Sequence, residues 1–256
     1  MCGRYVFAIL PSQLETLFGL HETPADLRAR YNIAPTQIAP VIRIAPHGDG
    51  RVCSMLRWGL IPKWAKDPAV ASSLINARCE TVADKPAFRS AYRSRRCLVP
   101  ATGFYEWKKT DGRSKQPYFI FRDDQRPIAM AGLWENWTDP VSSTPVETFT
   151  ILTTVANDAI RSLHDRMPVI IPPERFDEWL RCRGDAEAGE CDASIDGVSE
   201  PRRNFREPVN QDETHEPIRL VMHPVASRVS SVKSEGPDLI RQVEPRLTTG
   251  TLFDLD

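Results

Sequence analysis

The sequence predicts an α+β domain dominated by a mostly antiparallel β-sheet. Several strand-like segments follow one another between residues 97 and 154, and the connections between them are too short for βαβ crossovers. Apolar residues recur at helical spacing only in short runs, so the helices should be few and small. A hydrophobic fraction of 41%, with six Trp and ten Phe, is adequate for a substantial core.

In the first part of the chain the pattern predicts short helices and one hairpin. Ser12-Gln13-Leu14-Glu15 matches a capping box, which indicates that a helix starts there. A second helix is expected from Pro24 to about Arg30, with proline in its first turn. Residues 37–44 and 51–58 are predicted to be strands joined by a turn at 46–50, and residues 86–96 a helix.

The second part is predicted to be richer in strands. The segments expected to be extended are 97–108, 118–122, 127–134, 148–154 and 218–225, with a turn at Asp111-Gly112. Pro172-Pro173-Glu174 should open a helix that runs to about Arg181. Residues 183–216 are polar and have little periodicity, which is typical of a loop. We expect one domain over residues 2–245, with a loop insertion at 183–205 and a tail at 246–256.

Composition narrows the classes of function. The 256 residues carry a formal net charge of −1, so any nucleic-acid site must be a local patch. The six cysteines show no CxxC spacing and the five histidines are scattered, so neither a metal site nor a cofactor is expected. No signal sequence is evident, and no apolar run approaches the roughly 20 residues that span a bilayer. A cytoplasmic protein with reduced thiols, not bound to a membrane, is expected.

Cys2 follows the initiator methionine directly. Removal of Met1 would leave one residue with both an α-amine and a thiol, whose ordinary pKa values are about 7.7–8.0 and about 8.5. Such an aminothiol captures an aldehyde first as an imine and then as a thiazolidine. The thiol could instead be an acyl-transfer nucleophile with the amine as its base. Position alone leaves a third interpretation open, in which Cys2 belongs to a terminus without function.

Three further side chains could handle protons or orient a substrate. Glu106 lies between two aromatic residues in a strand-like run, where a walled carboxylate could shuttle protons, although it could equally face solvent. His164 precedes a strand and could exchange a proton, or it could be a structural histidine paired with Asp165. Asn76 could orient an amine or carbonyl, or could simply end a strand.

Other side chains are of the types that bind nucleic acid. Guanidinium groups match phosphate oxygens, which makes Arg4, Arg78 and Arg166 candidates for phosphate contacts. Trp64 and Trp107 could stack on bases. When each residue is considered alone, a surface ion pair for the arginines and core packing for the tryptophans are the better explanations.

Together, the dispersed motifs resemble the SRAP family, whose members crosslink to abasic sites in single-stranded DNA. The resemblance runs in order over most of residues 2–245, and the 183–205 stretch looks like an insertion. Ser230 stands where many relatives have another small polar residue such as Asn. The motifs are Met1-Cys2-Gly3-Arg4-Tyr5, residues 30–35, residues 58–62, Asn76-Ala77-Arg78-Cys79-Glu80-Thr81, Gly103-Phe104-Tyr105-Glu106-Trp107, His164-Asp165-Arg166-Met167-Pro168 and residues 229–240.

The resemblance implies a barrel-like twisted sheet with short flanking helices, and a thiazolidine formed by Cys2 after Met1 removal. The sequence is silent on oligomeric state, and a monomer is the default expectation. It implies that Glu106 shuttles protons and that His164 donates a proton to the sugar oxygen. Asn76 would hold the Cys2 backbone or the opened sugar. The implied DNA contacts are Arg4, Trp64, Arg78, Trp107, Thr153 and Arg166. Self-removal of Met1 is also expected, although removal by another peptidase would leave the same terminus. The protein would be nucleoid-associated when it is bound to DNA.

Three other hypotheses remain at this point. An N-terminal-nucleophile glutamine amidotransferase also begins Met-Cys-Gly, but its other motifs are missing here. A non-catalytic single-strand binding module would bind reversibly and with strong salt sensitivity. A protease acting on other proteins is the third, suggested by the word "peptidase" in the family name.

Overall fold

The computed structural model describes residues 2–46, 48, 50–110, 115–181 and 218–245. Within these ranges the chain forms mainly strands, with a few short helices and 3₁₀ turns. The strands are β1 (Tyr5–Phe7), β2 (Arg30–Ile33), β3 (Ile38–Ile44), β4 (Arg51–Trp58), β5 (Asn76–Arg78), β6 (Arg96–Ala101), β7 (Gly103–Lys109), β8 (Lys115–Arg122), β9 (Ile128–Thr138), β10 (Pro145–Val155), β11 (Arg166–Pro168) and β12 (Leu220–Pro224). The helices are α1 (Pro11–Phe18), α2 (Arg89–Ser94), α3 (Asp158–Arg161) and α4 (Phe176–Arg181).

Five of the strands close into a barrel. β10 pairs with β9 along one edge and with β4 along the other, and the neighbours β4, β3, β6 and β9 complete the ring. Closure pairs each of these strands on both edges, which removes the exposed edges of an open sheet. β5 and β11 continue along the two edges of β10 beyond the ring. The predicted fold class, α+β with a mostly antiparallel, barrel-like sheet, is confirmed.

A second sheet, in the order β12-β8-β7-β1-β2, carries the N-terminal strand. Tyr5 of β1 pairs with Phe104 of β7 in antiparallel register, and both side chains belong to the main core. Their neighbours Val6 and Tyr105 point to the opposite face and belong to a second apolar cluster. This alternation is the period of two expected of strands. It assigns each side chain near the N-terminus to one of the two faces.

The first helix begins two positions earlier than the capping-box pattern suggests, with Leu10 and not Ser12 as its N-cap. Pro11 occupies the first turn, so Ser12 lies inside the helix and is not the cap. The side chain of Gln13 accepts a hydrogen bond from the Leu10 amide at 3.2 Å. Proline is well suited to this position because its missing N–H would have no partner there.

Two other predictions about helices needed correction. The predicted helix from Pro24 to Arg30 is wrong, since the segment forms a turn closed by the Leu27 amide and the Pro24 carbonyl, 3.0 Å apart. Arg30 instead begins β2, where it pairs with β1. The helix predicted over 86–96 is shortened to α2, because Arg96 is the first residue of β6. In both cases pairing with a distant strand overrides the local preference.

The strand predictions hold in position. The segments 37–44 and 51–58 correspond to β3 and β4. The run 97–108 divides at Thr102 into β6 and β7, which belong to different sheets. The strand pairs within residues 97–154 are antiparallel, as expected, whereas β10 is parallel to β4 and β5, which lie earlier in the chain. Parallel pairing arises here because these strands are far apart in sequence.

Four sequence expectations lie outside the described residues: the turn at Asp111-Gly112, the loop over 183–216, the 183–205 insertion within it and the 246–256 tail. Within the described part of the chain, every helix is too short and too polar to cross a bilayer.

Candidate active site

Cys2 lies in the protein interior next to Asn76. The residue has no exposed surface and belongs to the main core. The Asn76 amide Nδ2 donates a hydrogen bond to the Cys2 carbonyl oxygen at 2.8 Å. Asn76 is itself held by β5, where it pairs with Ile151 of the barrel strand β10. The backbone of the N-terminal cysteine is therefore tied to the barrel wall.

Glu106 is placed beside Cys2 by the pairing of β1 with β7. The Tyr105 amide donates to the Arg4 carbonyl at 2.9 Å, so Glu106 continues the strand toward the N-terminus. Its side chain lies on the same face as Phe104 and is 4% exposed. The solvent-facing alternative for Glu106 is therefore wrong. The buried Glu106 carboxylate therefore lies close enough to the buried Cys2 thiol to act on it electrostatically.

Burial and the Glu106 charge both act on the Cys2 thiol. Burial is the larger effect and raises the pKa of Cys2 well above its ordinary value, and the Glu106 carboxylate raises it further. The Arg4 backbone N–H donates to the sulfur and opposes these effects. The thiol is thus held in its neutral form. A neutral thiol needs a base before it can attack, and Glu106 is a carboxylate within electrostatic reach.

His164 is held by its immediate neighbours in the chain. Its Nδ1 accepts a hydrogen bond from the Arg166 amide at 3.0 Å and lies 2.6 Å from an Asp165 carboxylate oxygen. When Nδ1 accepts, the ring proton sits on Nε2; when the ring is protonated, Nδ1 can donate to Asp165. The side chain is 30% exposed. His164 is therefore paired with Asp165 and is also exposed enough to contact a ligand, so the structure is compatible with both interpretations of this residue.

Arg166 and Thr153 are buried beneath the surface. The Arg166 guanidinium makes two parallel hydrogen bonds to Glu80, each 2.8 Å long, and also reaches the Thr153 carbonyl. Thr153 has no exposed surface and directs its hydroxyl toward the Ala77 carbonyl. Burial raises the pKa of Glu80, but the hydrogen bonds and charge of Arg166 outweigh it, so the net pKa is lowered. This pair links the segment after β5 to β11.

Arg4 and Trp107 meet on the other face of the N-terminal sheet. The Arg4 guanidinium carbon lies 5.8 Å from the centroid of the Trp107 ring, within the range of a cation–π contact. Arg4 is half-buried, and burial lowers its pKa while the nearby Tyr105 opposes that change. Two of the predicted DNA contacts therefore lie together.

Arg78 and Trp64 are the predicted DNA contacts with the most solvent exposure. Arg78 is exposed and lies two residues after Asn76 on β5, so both side chains share one face of that strand. Trp64 is 64% exposed on the connection after β4. It lines an open depression with Ala65, Lys66, Asp67 and Val70. An exposed tryptophan is suited to stacking on a base.

The structure joins some of the predicted site residues and separates others. Asn76 and Glu106 reach Cys2 through a hydrogen bond and a charge interaction. His164 is placed instead by Asp165 and Arg166.

Two residues without a predicted role prove to be organising residues. They are Asn32, which accepts a hydrogen bond from Arg4, and Glu80, which accepts hydrogen bonds from Arg166. Both lie inside segments that carry the family resemblance, and this was the only indication in the sequence that they could matter to the site. Their partners are distant in sequence, so the signal could not indicate what they bind.

Among the described residues there is no group of three or more His, Cys, Asp or Glu side chains arranged to hold a metal ion.

The closed barrel and the Cys2 thiol beside a carboxylate are the features that the resemblance to the SRAP family implies. The family model for "SOS response associated peptidase (SRAP)" matches residues 1–232. The chain therefore belongs to the SRAP family.

Individual relatives extend the match over nearly the whole chain. The sequence is 34% identical over 244 residues to "Abasic site processing protein YoqW" of Bacillus subtilis (strain 168), covering 94% of this chain and 99% of that protein. It is 32% identical over 258 residues to "Abasic site processing protein YedK" of Escherichia coli (strain K12), covering 95% and 100%. It is 29% identical over 284 residues to "Abasic site processing protein HMCES" of Gallus gallus, covering 95% and 78%.

A solved structure supports the fold. The crystal structure of a protein from Bacteroides thetaiotaomicron superposes with a TM-score of 0.73 at 23% identity, covering 94% of this chain and all (100%) of that one. At this identity the likeness concerns the fold alone.

Proposed function

We propose that this protein recognises abasic sites in single-stranded DNA and crosslinks to them through Cys2. The observation that carries the proposal is the arrangement of Cys2, with its buried neutral thiol near Glu106 and its carbonyl held by Asn76. The names of the relatives, abasic site processing proteins, support the choice of lesion. The product shields the abasic site from strand cleavage.

The chemistry requires that Met1 be removed first. The freed α-amine of Cys2 adds to the aldehyde of the opened deoxyribose, and the resulting carbinolamine loses water to give an imine. The thiol then adds to the imine carbon, its proton passing to the nitrogen, and the thiazolidine ring closes. In total, one aldehyde and one aminothiol give one thiazolidine and one water. Ring closure removes the imine, which would otherwise invite β-elimination and strand cleavage of the lyase type.

Two groups handle the protons. Glu106 accepts the proton of the Cys2 thiol as sulfur attacks, and supplies a proton when the carbinolamine loses water. His164 protonates the sugar ring oxygen as the ring opens and assists reversal of the crosslink. Asn76 holds the Cys2 carbonyl, so the amine and thiol keep one orientation throughout.

The residues predicted to contact DNA fall into two groups, of which only one contacts the strand directly. Arg4, Arg78, Trp64 and Trp107 contact the strand directly through phosphate pairing and base stacking. Arg166 and Thr153 are buried, and they act by holding β11 and the segment after β5 in place. A few phosphate contacts are enough to bind the strand, because the covalent bond then keeps the protein attached to the DNA.

Removal of Met1 is assigned to the protein itself, as an autopeptidase, and the active form is assigned as a monomer. The expected N-terminal residue of the purified protein is Cys2, which mass spectrometry of the intact chain measures. Glu106→Gln should retain Met1 if the carboxylate also serves that hydrolysis. Size-exclusion chromatography tests the monomer.

One denaturing gel tests the crosslink. Purified protein is mixed with single-stranded oligonucleotides that differ only in one abasic site, and a shifted band resistant to denaturant is expected with the abasic strand alone. Cys2→Ala should abolish the band, whereas Cys53→Ala, which removes another cysteine, should retain it. An absent band with the wild-type chain would exclude the proposal. Binding that survives Cys2→Ala and disappears in denaturant would indicate a reversible single-strand binding protein instead.

A further inference from the structure

We infer that residues 227–240, here called the clasp, form part of the DNA-binding site by holding Arg4 in its binding position through Asn32. The inference rests on the proposed role of Arg4 in contacting DNA. It gives a function to two segments that the crosslinking chemistry leaves unused, residues 30–35 and the clasp itself.

Asn32 is the joint between Arg4 and the clasp. It is 1% exposed. Its Oδ1 accepts a hydrogen bond from Arg4 Nη1 at 2.7 Å. Its Nδ2 donates to the carbonyl oxygens of Ser231 at 2.9 Å and Ser234 at 2.8 Å, with a longer contact of 3.3 Å to Val229. One buried amide therefore ties the guanidinium to three points of the clasp.

The clasp also contacts Arg4 and its aromatic partner directly. Arg4 Nη1 donates a second hydrogen bond, of 2.8 Å, to the Val229 carbonyl. The Trp107 indole Nε1 donates to the Ser230 hydroxyl at 3.0 Å. The clasp thus orients both the cation and the ring that stacks against it.

These contacts leave particular donors of Arg4 for a ligand. Both hydrogens of Nη1 are used by Asn32 and Val229. Arg4 Nε is buried and has no acceptor among the described residues. A phosphate oxygen cannot reach this buried atom, so the donor left for a phosphate is Arg4 Nη2, which is not buried and has no acceptor among the described residues.

The clasp is firmly seated, so it can serve as a support. Val229 and Leu239 have no exposed surface and pack with Val6 and Tyr105 in the second apolar cluster. The Tyr105 hydroxyl donates to the Tyr31 carbonyl at 2.8 Å, which joins the same cluster to β2. Loosening the clasp should free Arg4 without altering the chemistry at Cys2. The expected effect is on DNA affinity and not on the crosslinking rate at saturating DNA.

The test uses Asn32→Leu, a substitution of similar size that removes the amide and changes no charge. The matched control is Asn136→Leu, at an exposed position on β9. Affinity for an intact single-stranded oligonucleotide is measured by fluorescence anisotropy over a salt series. Asn32→Leu should weaken binding about 10-fold, as for the loss of one charge-assisted contact, and the control less than about 2-fold. The salt slope should fall by about 0.7, the value for one phosphate on a single strand.

A double-mutant cycle with Arg4→Ala separates the clasp from a general loss of stability. In the Arg4→Ala background Asn32→Leu should have little further effect on affinity, because Asn32 acts through Arg4. Undiminished weakening in that background, or an unchanged salt slope, would overturn the inference.

Ser230→Ala is the milder variant should Asn32→Leu fail to fold. It removes only the hydrogen bond to Trp107 and should weaken binding about 2- to 3-fold with an unchanged melting temperature. Wild-type affinity for Ser230→Ala in that case would overturn the inference, as would a wild-type chain that binds no oligonucleotide. Because the intact oligonucleotide carries no aldehyde, failure of the crosslinking proposal alone would leave reversible binding, and hence this test, unaffected.

Discussion

Replacing Glu106 by Gln should make the Cys2 thiol more acidic and yet slow the crosslinking reaction. The substitution keeps the shape of the side chain and removes its charge. Since the carboxylate raises the pKa of Cys2, its removal should lower that pKa and make the thiol more acidic. If Glu106 is the proton shuttle, crosslinking should nevertheless become slower.

The structure sets the size of each change. Burial is the larger cause of the raised Cys2 pKa and is unaffected by the substitution, so the pKa should fall but stay above its ordinary value of about 8.5. Loss of a general acid–base group costs about 10²- to 10⁴-fold in rate. That corresponds to about 3–5 kcal/mol in the barrier, since each tenfold change is about 1.4 kcal/mol.

Two assays read these quantities separately. The pH dependence of Cys2 alkylation, followed on the N-terminal peptide by mass spectrometry, reports the thiol pKa. Single-turnover crosslinking at saturating abasic oligonucleotide reports the rate. Glu174→Gln is the control, because Glu174 is exposed and the substitution removes the same charge from the surface. A crosslinking rate that rises along with thiol acidity would refute the role of Glu106 as shuttle.

Three further substitutions test the supports of the site. Asn76→Ala removes the hydrogen bond to the Cys2 carbonyl and should slow crosslinking about 10-fold, measured at saturating DNA. Glu80→Gln breaks the partly buried pair with Arg166 and should lower stability by about 2 kcal/mol at neutral pH in urea titrations. Since the folded-state pKa of Glu80 is lowered, its contribution is present above the unfolded value of about 4.3 and is lost as pH falls through the folded value. Gly103→Ala would place a methyl group 2.4 Å from a carbonyl oxygen of β8 and should destabilise the fold by about 3 kcal/mol, seen in the melting temperature.

Each of these expectations can fail in a recognisable way. Wild-type crosslinking in Asn76→Ala would mean that the Cys2 carbonyl needs no support. A stability difference for Glu80→Gln that persists in acid would assign its effect to packing and not to charge. An unchanged melting temperature for Gly103→Ala would show that β8 moves aside easily.

Local pattern was sufficient for much of the fold. Runs of apolar, β-branched and aromatic residues between turn signals located β3, β4, β8, β9 and β10. In β3, β9 and β10 consecutive residues are buried, so both faces of these strands are covered. The predicted helix at 24–30 failed because Arg30 pairs with β1, a partner that no local window contains. Parallel pairing of β10 with β4 and β5 was missed for the same reason.

For the site, the sequence by itself determined which chemical groups are available: a cysteine after Met1, a carboxylate between two aromatic residues, and an asparagine at the start of a short strand. Only the tertiary structure decided how they meet. The β1–β7 register turned Glu106 inward, and the β5–β10 pairing carried Asn76 to the Cys2 carbonyl. The same packing withdrew Arg166 and Thr153 from the surface and bound Arg4 to Asn32. Burial and charge depend on neighbours distant in sequence, so they appear only when the chain is folded.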